Sequence, residues 1–392
     1  MHNPYPANRT LAKNYWQELS SKIGALTRPE TFALSKDIDP QKFYLEFKNR
    51  IVGLIRQETD RLKEELSRSN DCHIILLKRT ALVDAVVQAS FRTALWFYNR
   101  TRRENLREKD IPLAIVARGG YGREEMYFRS DVDIEAISQM DPAGRPPGFL
   151  ANILEYFEYL FIHQDIFPSA SSFRHSEAGA EDCAFDPQNP SVLISLMEHR
   201  FVAGNPLVYD KFRDSIKTVS SLHLDKILKY CQTHKTYYDI QDTVFKQEPN
   251  VKNEMRRLYW ALFLARVRYK LEKNNQFELI RELYEREQLG QTAFKNMQNA
   301  LNFLSKVRLF LHCVQKGAHR DVLSYEVREQ IAQSMGYDLH KFYKQYFYHA
   351  AYPLKRYSRN LFWETISFDP KKVKDLTDDF AVNVEKHIIF NP

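Results

Sequence analysis

The spacing of apolar residues predicts helices over most of the first hundred residues. After Pro40, apolar positions recur three and four apart through Phe43, Phe47 and Ile51, which is the periodicity of one helix face. A longer and almost continuously apolar segment runs from Cys72 to Tyr98. Because strands are seldom that long, the pattern predicts a buried helix there.

The pattern changes at Pro112. A short β-branched run at 113–117 and a strictly alternating run at 131–137 predict two strands. Between them, the glycines at 119–122 predict a turn. Here the sequence therefore leaves the helical pattern and predicts a sheet.

The remaining segments complete the predicted fold. We expect a helix over 149–163, a third strand over 166–173, and only helices from Pro190 to about Ser367. The sequence thus predicts an α+β fold with a small mixed sheet flanked by helical parts. The predicted domains are a helical segment (1–73), a sheet domain (74–190) and a helical domain (191–392).

Composition narrows the class of protein. With 44% hydrophobic and 27% charged residues among 392, the chain has the composition of a globular protein. It has no apolar run long enough to span a membrane and no signal-like start, so we expect a cytoplasmic protein without membrane contact. The four cysteines are scattered, which predicts free thiols rather than a zinc site or disulfides.

The charge balance favours an anionic ligand. There are 57 basic and 50 acidic side chains, a net charge of +7. This mild excess suits a nucleotide or an acidic partner. Because no concentrated basic stripe accompanies it, we do not expect nucleic-acid binding.

Three acids share one face of the second predicted strand. Side chains alternate along a strand, so Asp131, Asp133 and Glu135 point the same way. Neighbouring carboxylates repel one another unless a cation lies between them, and magnesium prefers such oxygen ligands. The pattern therefore indicates a metal site, and the alternative interpretation is an acidic strand face turned to solvent.

The glycines add a second half to this site. Without a Cβ, Gly119 and Gly120 let backbone N–H groups approach a polyphosphate closely. A metal site opposite a phosphate site is the arrangement that phosphoryl or nucleotidyl transfer needs. A Gly-Gly turn between strands is also common without any function.

The two motifs together resemble a known signature. Residues 119–124, Gly-Gly-Tyr-Gly-Arg-Glu, with Ser-Asp-Val-Asp at 130–133, resemble that of DNA polymerase beta-type nucleotidyltransferases, and specifically the PII protein uridylyltransferase (GlnD) family. The similarity continues in the same order along the chain, in segments at 80–84, 172–174, 196–206, 248–252 and 303–312.

The resemblance implies an activity and a set of site residues. The activity is metal-dependent transfer of a nucleoside monophosphate, UMP from UTP or else AMP from ATP, onto a protein hydroxyl, with a PII-like signalling protein as a candidate acceptor. Mg²⁺ is the implied metal, with Mn²⁺ as the alternative. The implied metal ligands are Asp131 and Asp133, and the implied nucleotide contacts are Gly119, Gly120, Arg123, Ser130 and Lys252.

Departures from the family pattern leave a second function open. The chain stops at Pro392, where the family continues into phosphohydrolase and sensing domains, so we expect no removal of the nucleotide. Residues 253–258 lack the family's glycine-rich turn, which affects the placement of Lys252. The third carboxylate is expected near Pro168, and Asp165 or Glu135 would have to supply it. Without one, the alternative is a catalytically silent regulator that binds a nucleotide or a partner.

Overall fold

A computed structural model describes residues 4–28, 32, 40–138, 147–162, 166–167, 170–176, 196–223, 225–227, 248–315 and 321–366. The chain divides into two compact units, residues 1–224 and 225–392. The α+β class is confirmed, because a small sheet lies among many helices.

The first unit contains six helices and four strands within the described ranges. They are α1 (Tyr5–Leu26), α2 (Pro40–Arg68), α3 (Cys72–Arg102), β1 (Leu113–Ala117), α4 (Gly119–Gly122), β2 (Val132–Ser138), α5 (Gly148–Phe161), β3 (Ala170–Ser176), β4 (Arg200–Gly204) and α6 (Pro206–Leu222).

Helix α3 is the centre of this unit. It packs against α1, α2, α5 and β4, and apolar side chains are buried all around it. A helix that is apolar on every side is typical of a protein interior. The Asp71 side chain caps its first turn by accepting from the His73 N–H. The buried helix predicted from the apolar run is therefore confirmed.

The sheet has the strand order β3-β2-β1-β4. Strand β1 pairs antiparallel with β2 and β4, whereas β2 and β3 are parallel. Helix α5 lies between β2 and β3 along the chain, as a connection between parallel strands requires. Every residue of β1 is buried, and β1 is paired on both sides. The position of the glycine turn that follows β1 is therefore fixed at its start by the sheet.

The prediction of helices alone after Pro190 was wrong, because Arg200–Gly204 is a strand. Phe201 and Val202 are its only residues with high β-propensity. Pairing with β1 decides its structure, with Ala203 opposite Ile115. The sheet thus extends beyond the predicted domain boundary at residue 190.

Other predicted elements lie close to the observed ones. The helix predicted over 149–163 spans Gly148–Phe161, and the third strand is Ala170–Ser176 rather than 166–173. Cys72 and Cys313 are thiols that take part in no disulfide, as predicted, while Cys183 and Cys231 lie outside the described residues. Across the described parts of the chain, no helix has the length and apolarity needed to cross a bilayer.

The second unit is helical in its described residues. It contains α7 (Val251–Tyr269), α8 (Gln276–Glu285), α9 (Gln291–Val314), α10 (Tyr325–Ser334), α11 (Leu339–Lys344), a π-helical segment (Gln345–Ala351) and α12 (Tyr352–Ile366). Helix α7 packs against α12, α9 and α8.

A buried ion cluster fixes the start of α7. The Asp321 carboxylate accepts from Arg308 Nε at 2.8 Å and lies 2.9 Å from His312 Nε2, both on α9. The Asp321 carbonyl accepts from the Val251 N–H at 2.8 Å. Burial raises the pKa of Asp321, but the hydrogen bonds from His312 and Arg308 outweigh it, so the pKa lies well below its usual range. The cluster joins two of the segments that carry the family resemblance.

Candidate functional site

The glycine turn forms a short helix, α4, directly after β1. Gly119 opens it with a φ of +53°, a left-handed conformation that favours glycine. The Arg118 N–H donates to the Asp133 carbonyl at 3.0 Å. This bond holds the start of the turn beside strand β2.

The turn and the acidic strand meet at Gly119 and Asp133. A Cβ on Gly119 would lie 3.6 Å from Asp133 Oδ2, so the carboxylate lies beside the glycine backbone. Asp133 is half-buried, and Asp131, one residue before β2, is exposed. The structure thus brings Gly119 and Asp133 together, and alternation predicts that Asp131 shares their side of the strand.

Glu135 has a different environment from the other two acids. Its side chain is fully buried, and its Oε2 lies 3.3 Å from Nη1 of Arg118. Asp165, the other proposed third ligand, lies outside the described residues. Within the described ranges, no three acidic, histidine or cysteine side chains are grouped to hold a metal.

Two carboxylates nevertheless suit the implied metal. Mg²⁺ is usually bound by one or two carboxylates together with substrate phosphates and water, rather than by a complete protein cage. The side chains of Asp131 and Asp133 supply oxygen donors of that kind. The residues therefore fit a magnesium ion that enters with a triphosphate.

Arg123 is engaged by two buried acids. Its Nε donates to Glu125 at 3.0 Å and its Nη1 donates to Glu198 at 2.5 Å. Both carboxylates are 5% exposed and offset the guanidinium charge. This pairing favours a structural role over the predicted contact with a triphosphate.

The other predicted nucleotide contacts lie in two places. The Ser130 hydroxyl accepts from the Tyr127 N–H at 3.0 Å and closes the loop before Asp131. A Cβ on Gly120 would make only ordinary van der Waals contact, at 3.8 Å from Arg123 Nη2. Lys252 is the second residue of α7, in the second unit. Their roles toward a nucleotide stay predictions.

A group of residues missed by the sequence reasoning holds the glycine turn. The Tyr121 hydroxyl donates to Asp84 Oδ1 at 2.7 Å. Arg200 donates to both oxygens of the same carboxylate, at 2.8 and 2.9 Å. Each of these residues belongs to a segment of the family resemblance, which was the available signal. Glu198 belongs to the same group, because it pairs with Arg123, the residue directly after the turn. We call Asp84, Glu198 and Arg200 the turn clamp.

Burial and charge reinforce the turn clamp. Burial lowers the pKa of Arg200, but the charges of Asp84 and Glu124 raise it by a larger amount. The pKa of Arg200 therefore lies above its ordinary value. Burial and then the Asp84 charge raise the pKa of Tyr121. These groups therefore keep their ion pair and hydrogen bond across the physiological pH range.

Gly122 completes the contact between the turn and the clamp. A Cβ at this position would lie 1.8 Å from the Glu198 carbonyl oxygen, which no side chain could tolerate. The backbone before β4 thus touches the backbone of the turn. The second and fourth residues of the turn, Gly120 and Gly122, are glycines in different surroundings: a Cβ would fit at Gly120 and would clash at Gly122.

The similarity to PII uridylyltransferases is confirmed by comparison with known proteins. The family model described as GlnD PII-uridylyltransferase matches residues 225–362. Three similar proteins are each named bifunctional uridylyltransferase/uridylyl-removing enzyme. The protein of Hydrogenovibrio crunogenus is 24% identical over 67% of this chain, that of Burkholderia vietnamiensis 29% over 57%, and that of Erythrobacter litoralis 27% over 73%.

The matches cover most of this chain but a minor part of each relative. The aligned segments make up 27%, 25% and 30% of those three proteins. The chain therefore spans about a quarter to a third of the curated relatives it matches. This chain is thus similar to part of a family of uridylyl-transferring enzymes.

Proposed function

We propose that this protein is a nucleotidyltransferase that moves UMP from UTP onto a hydroxyl of a protein acceptor. The observation that carries the proposal is the position of the Asp133 carboxylate beside Gly119, with Asp131 two residues earlier, just before β2. A PII-like signalling protein is the proposed acceptor, because three similar proteins carry the uridylyltransferase name and the family model is named for PII.

The residues of the site have distinct tasks in this proposal. Asp131 and Asp133 would hold the magnesium ion, which supplies charge neutralisation for the triphosphate when bound. The backbone of Gly119 and Gly120 has no side chains that would keep the phosphates away. The first N–H groups of a helical turn also have no acceptor within the turn, so they can donate to phosphate oxygens. The acceptor oxygen bonds to the α-phosphorus, the bond to pyrophosphate breaks, and the hydroxyl proton leaves to a base.

The test is pyrophosphate release in the presence of UTP, Mg²⁺ and a PII-type protein. We expect release by the unmodified protein and a loss of at least about 100-fold in Asp133→Asn, because removal of charge stabilisation costs rate of this order. Asp110→Asn is the matched control, since Asp110 lies on the surface and pairs with Arg107. Equal rates in Asp133→Asn and the unmodified protein would contradict the proposal.

A second candidate function is a silent regulator that binds a nucleotide without transferring it. It is favoured by the pairing of Glu135 with Arg118 and of Arg123 with Glu125 and Glu198, which ties up residues that could have served catalysis. Metal-dependent UTP binding without release of pyrophosphate from UTP, whichever acceptor protein is present, would select this function over the first.

A further inference from the structure

We propose that a cleft between α1 and α3 binds a small planar organic anion. The cleft has a volume of about 340 Å³, which lies within the range of small-molecule sites. Neither Asp131 nor Asp133 lines it. The inference does not depend on the proposed function, because Lys13 and Trp16, which would contact the ligand, lie outside the candidate active site, although Asp84 of the turn clamp also lines the cleft.

Two helix faces form the walls of this cleft. Arg9, Lys13 and Trp16 lie four and three residues apart on α1 and line one side, as neighbours on one helix face do. Leu77 and Ala81, one turn apart on α3, line the other side. Both of these α3 side chains are buried. The α3 side is mixed, since Thr80, Asp84 and Gln88 line it beside these two apolar residues, and it faces a basic and aromatic side on α1.

Of the charged side chains that line the cleft, Lys13 is the one for which no ion pair is found among the described residues. Arg9 Nη2 pairs with Glu124 at 2.8 Å, and Asp84 is held by Arg200. Lys13 is exposed and has no ion pair within the described parts of the chain. Burial raises the pKa of Glu124, but the charges of Arg200 and Arg9 lower it by a larger amount. This carboxylate therefore stays ionised and paired with its partners. The remaining positive charge favours an anionic ligand.

Trp16 gives the ligand its second feature. The indole is half-buried and lies three residues from Lys13 on the same side of α1. A flat ring can stack in an offset arrangement on the indole, next to the small apolar surface that Leu77 and Ala81 leave in the cleft. A ligand that has both a flat apolar body and an anionic group satisfies all of these contacts at once.

The test uses 2-naphthoate as the probe and its neutral analogue 2-naphthamide as the charge control, in calorimetric titrations of the full chain. We expect 2-naphthoate to bind about threefold to fivefold more tightly than the amide, the preference that one exposed charge pair gives. Lys13→Gln should remove this preference. Trp16→Leu should weaken both ligands about fivefold through the lost ring contact. Lys63→Gln, at an exposed lysine of α2, should change neither affinity.

Three results would overturn the proposal. They are no binding of 2-naphthoate at millimolar concentration, equal affinity of the unmodified protein for both probes, and binding that Lys13→Gln and Trp16→Leu leave unchanged. Circular dichroism establishes that each variant is folded. Lys13 is exposed, so its variant keeps the test decisive even if the substitution of Trp16 disturbs the packing of α1.

Discussion

The carboxylate of Asp84 accepts hydrogen bonds from both terminal nitrogens of Arg200, at 2.8 and 2.9 Å, although the two residues are 116 positions apart in the sequence. Two parallel hydrogen bonds between a guanidinium and a carboxylate fix orientation as well as distance. One oxygen of the same carboxylate also accepts from Tyr121. The interaction therefore links the central helix, the last strand of the sheet and the glycine turn.

Replacement of Asp84 tests the contribution of this link to stability. We expect Asp84→Asn to lower the free energy of unfolding by about 2 kcal/mol, because it removes the ionised partner of the half-buried Arg200 guanidinium. Urea denaturation followed by circular dichroism measures the change. Asp210→Asn is the control, since Asp210 pairs with Arg213 on the surface of α6, and it should change stability little. An equal effect of both substitutions would contradict the role of Asp84.

Gly122 and Gly120 should respond differently to an added methyl group. Gly122→Ala would force a Cβ to within 1.8 Å of the Glu198 carbonyl oxygen, so we expect a loss of about 3 kcal/mol or more in unfolding free energy. Gly120→Ala meets nothing closer than 3.8 Å and should leave stability nearly unchanged. Thermal melts of the two variants measure the difference. Similar melting temperatures would show that the turn does not pack against the segment before β4.

Glu135→Gln separates a structural role from metal binding. Glu135 is fully buried beside Arg118, so we expect the substitution to lower the unfolding free energy by about 2 kcal/mol through the loss of this buried ion pair. It should leave magnesium-dependent nucleotide binding unchanged, which calorimetry can measure on the folded variant. A stable variant that has lost this binding would instead identify Glu135 as a metal ligand.

The Asp321 cluster predicts a specific pH dependence of stability. Because the pKa of Asp321 lies below its ordinary value of 3.8, its contribution is fully present above that value and is lost as the pH falls toward the lowered pKa. Asp321→Asn should therefore be less stable than the unmodified protein at pH 7, and the difference should shrink below about pH 4. Urea denaturation at pH 7, 5 and 3 measures this. A difference that stays constant down to pH 3 would rule out the ionised pair as its cause.

Local patterns predicted the elements whose structure is decided locally. The apolar run after Cys72 predicted α3 because a continuous apolar sequence of that length can only be a buried helix. The turn between the first two strands was predicted because its glycines permit the positive φ found at Gly119. Strand β4 was missed because its conformation depends on pairing with β1, more than 80 residues earlier in the sequence, and no local pattern reports such a partner.

The candidate site shows the same limit as the fold: local patterns predicted which residues carry the acids, but not which residues lie beside them. Alternation predicted Asp133 and Glu135 on one face, but it could not tell that Arg118 would pair with Glu135 while Gly119 would lie beside Asp133. The same limit applies to Arg123, whose partner Glu198 is 75 residues away. Charge pairing over long separations is decided by the folded chain, so sequence reasoning identified the carboxylates but not their environments.

The most direct test of the central claim is calorimetric titration of the protein with UTP, with and without Mg²⁺. We expect binding that requires Mg²⁺, is lost in the Asp131→Asn/Asp133→Asn double variant and is retained in Asp110→Asn. The double variant should keep the circular dichroism spectrum of the unmodified protein, since Asp131 is exposed and Asp133 half-buried. If the folded protein bound no UTP, or if the double variant bound it equally well, these carboxylates would not form a nucleotide site.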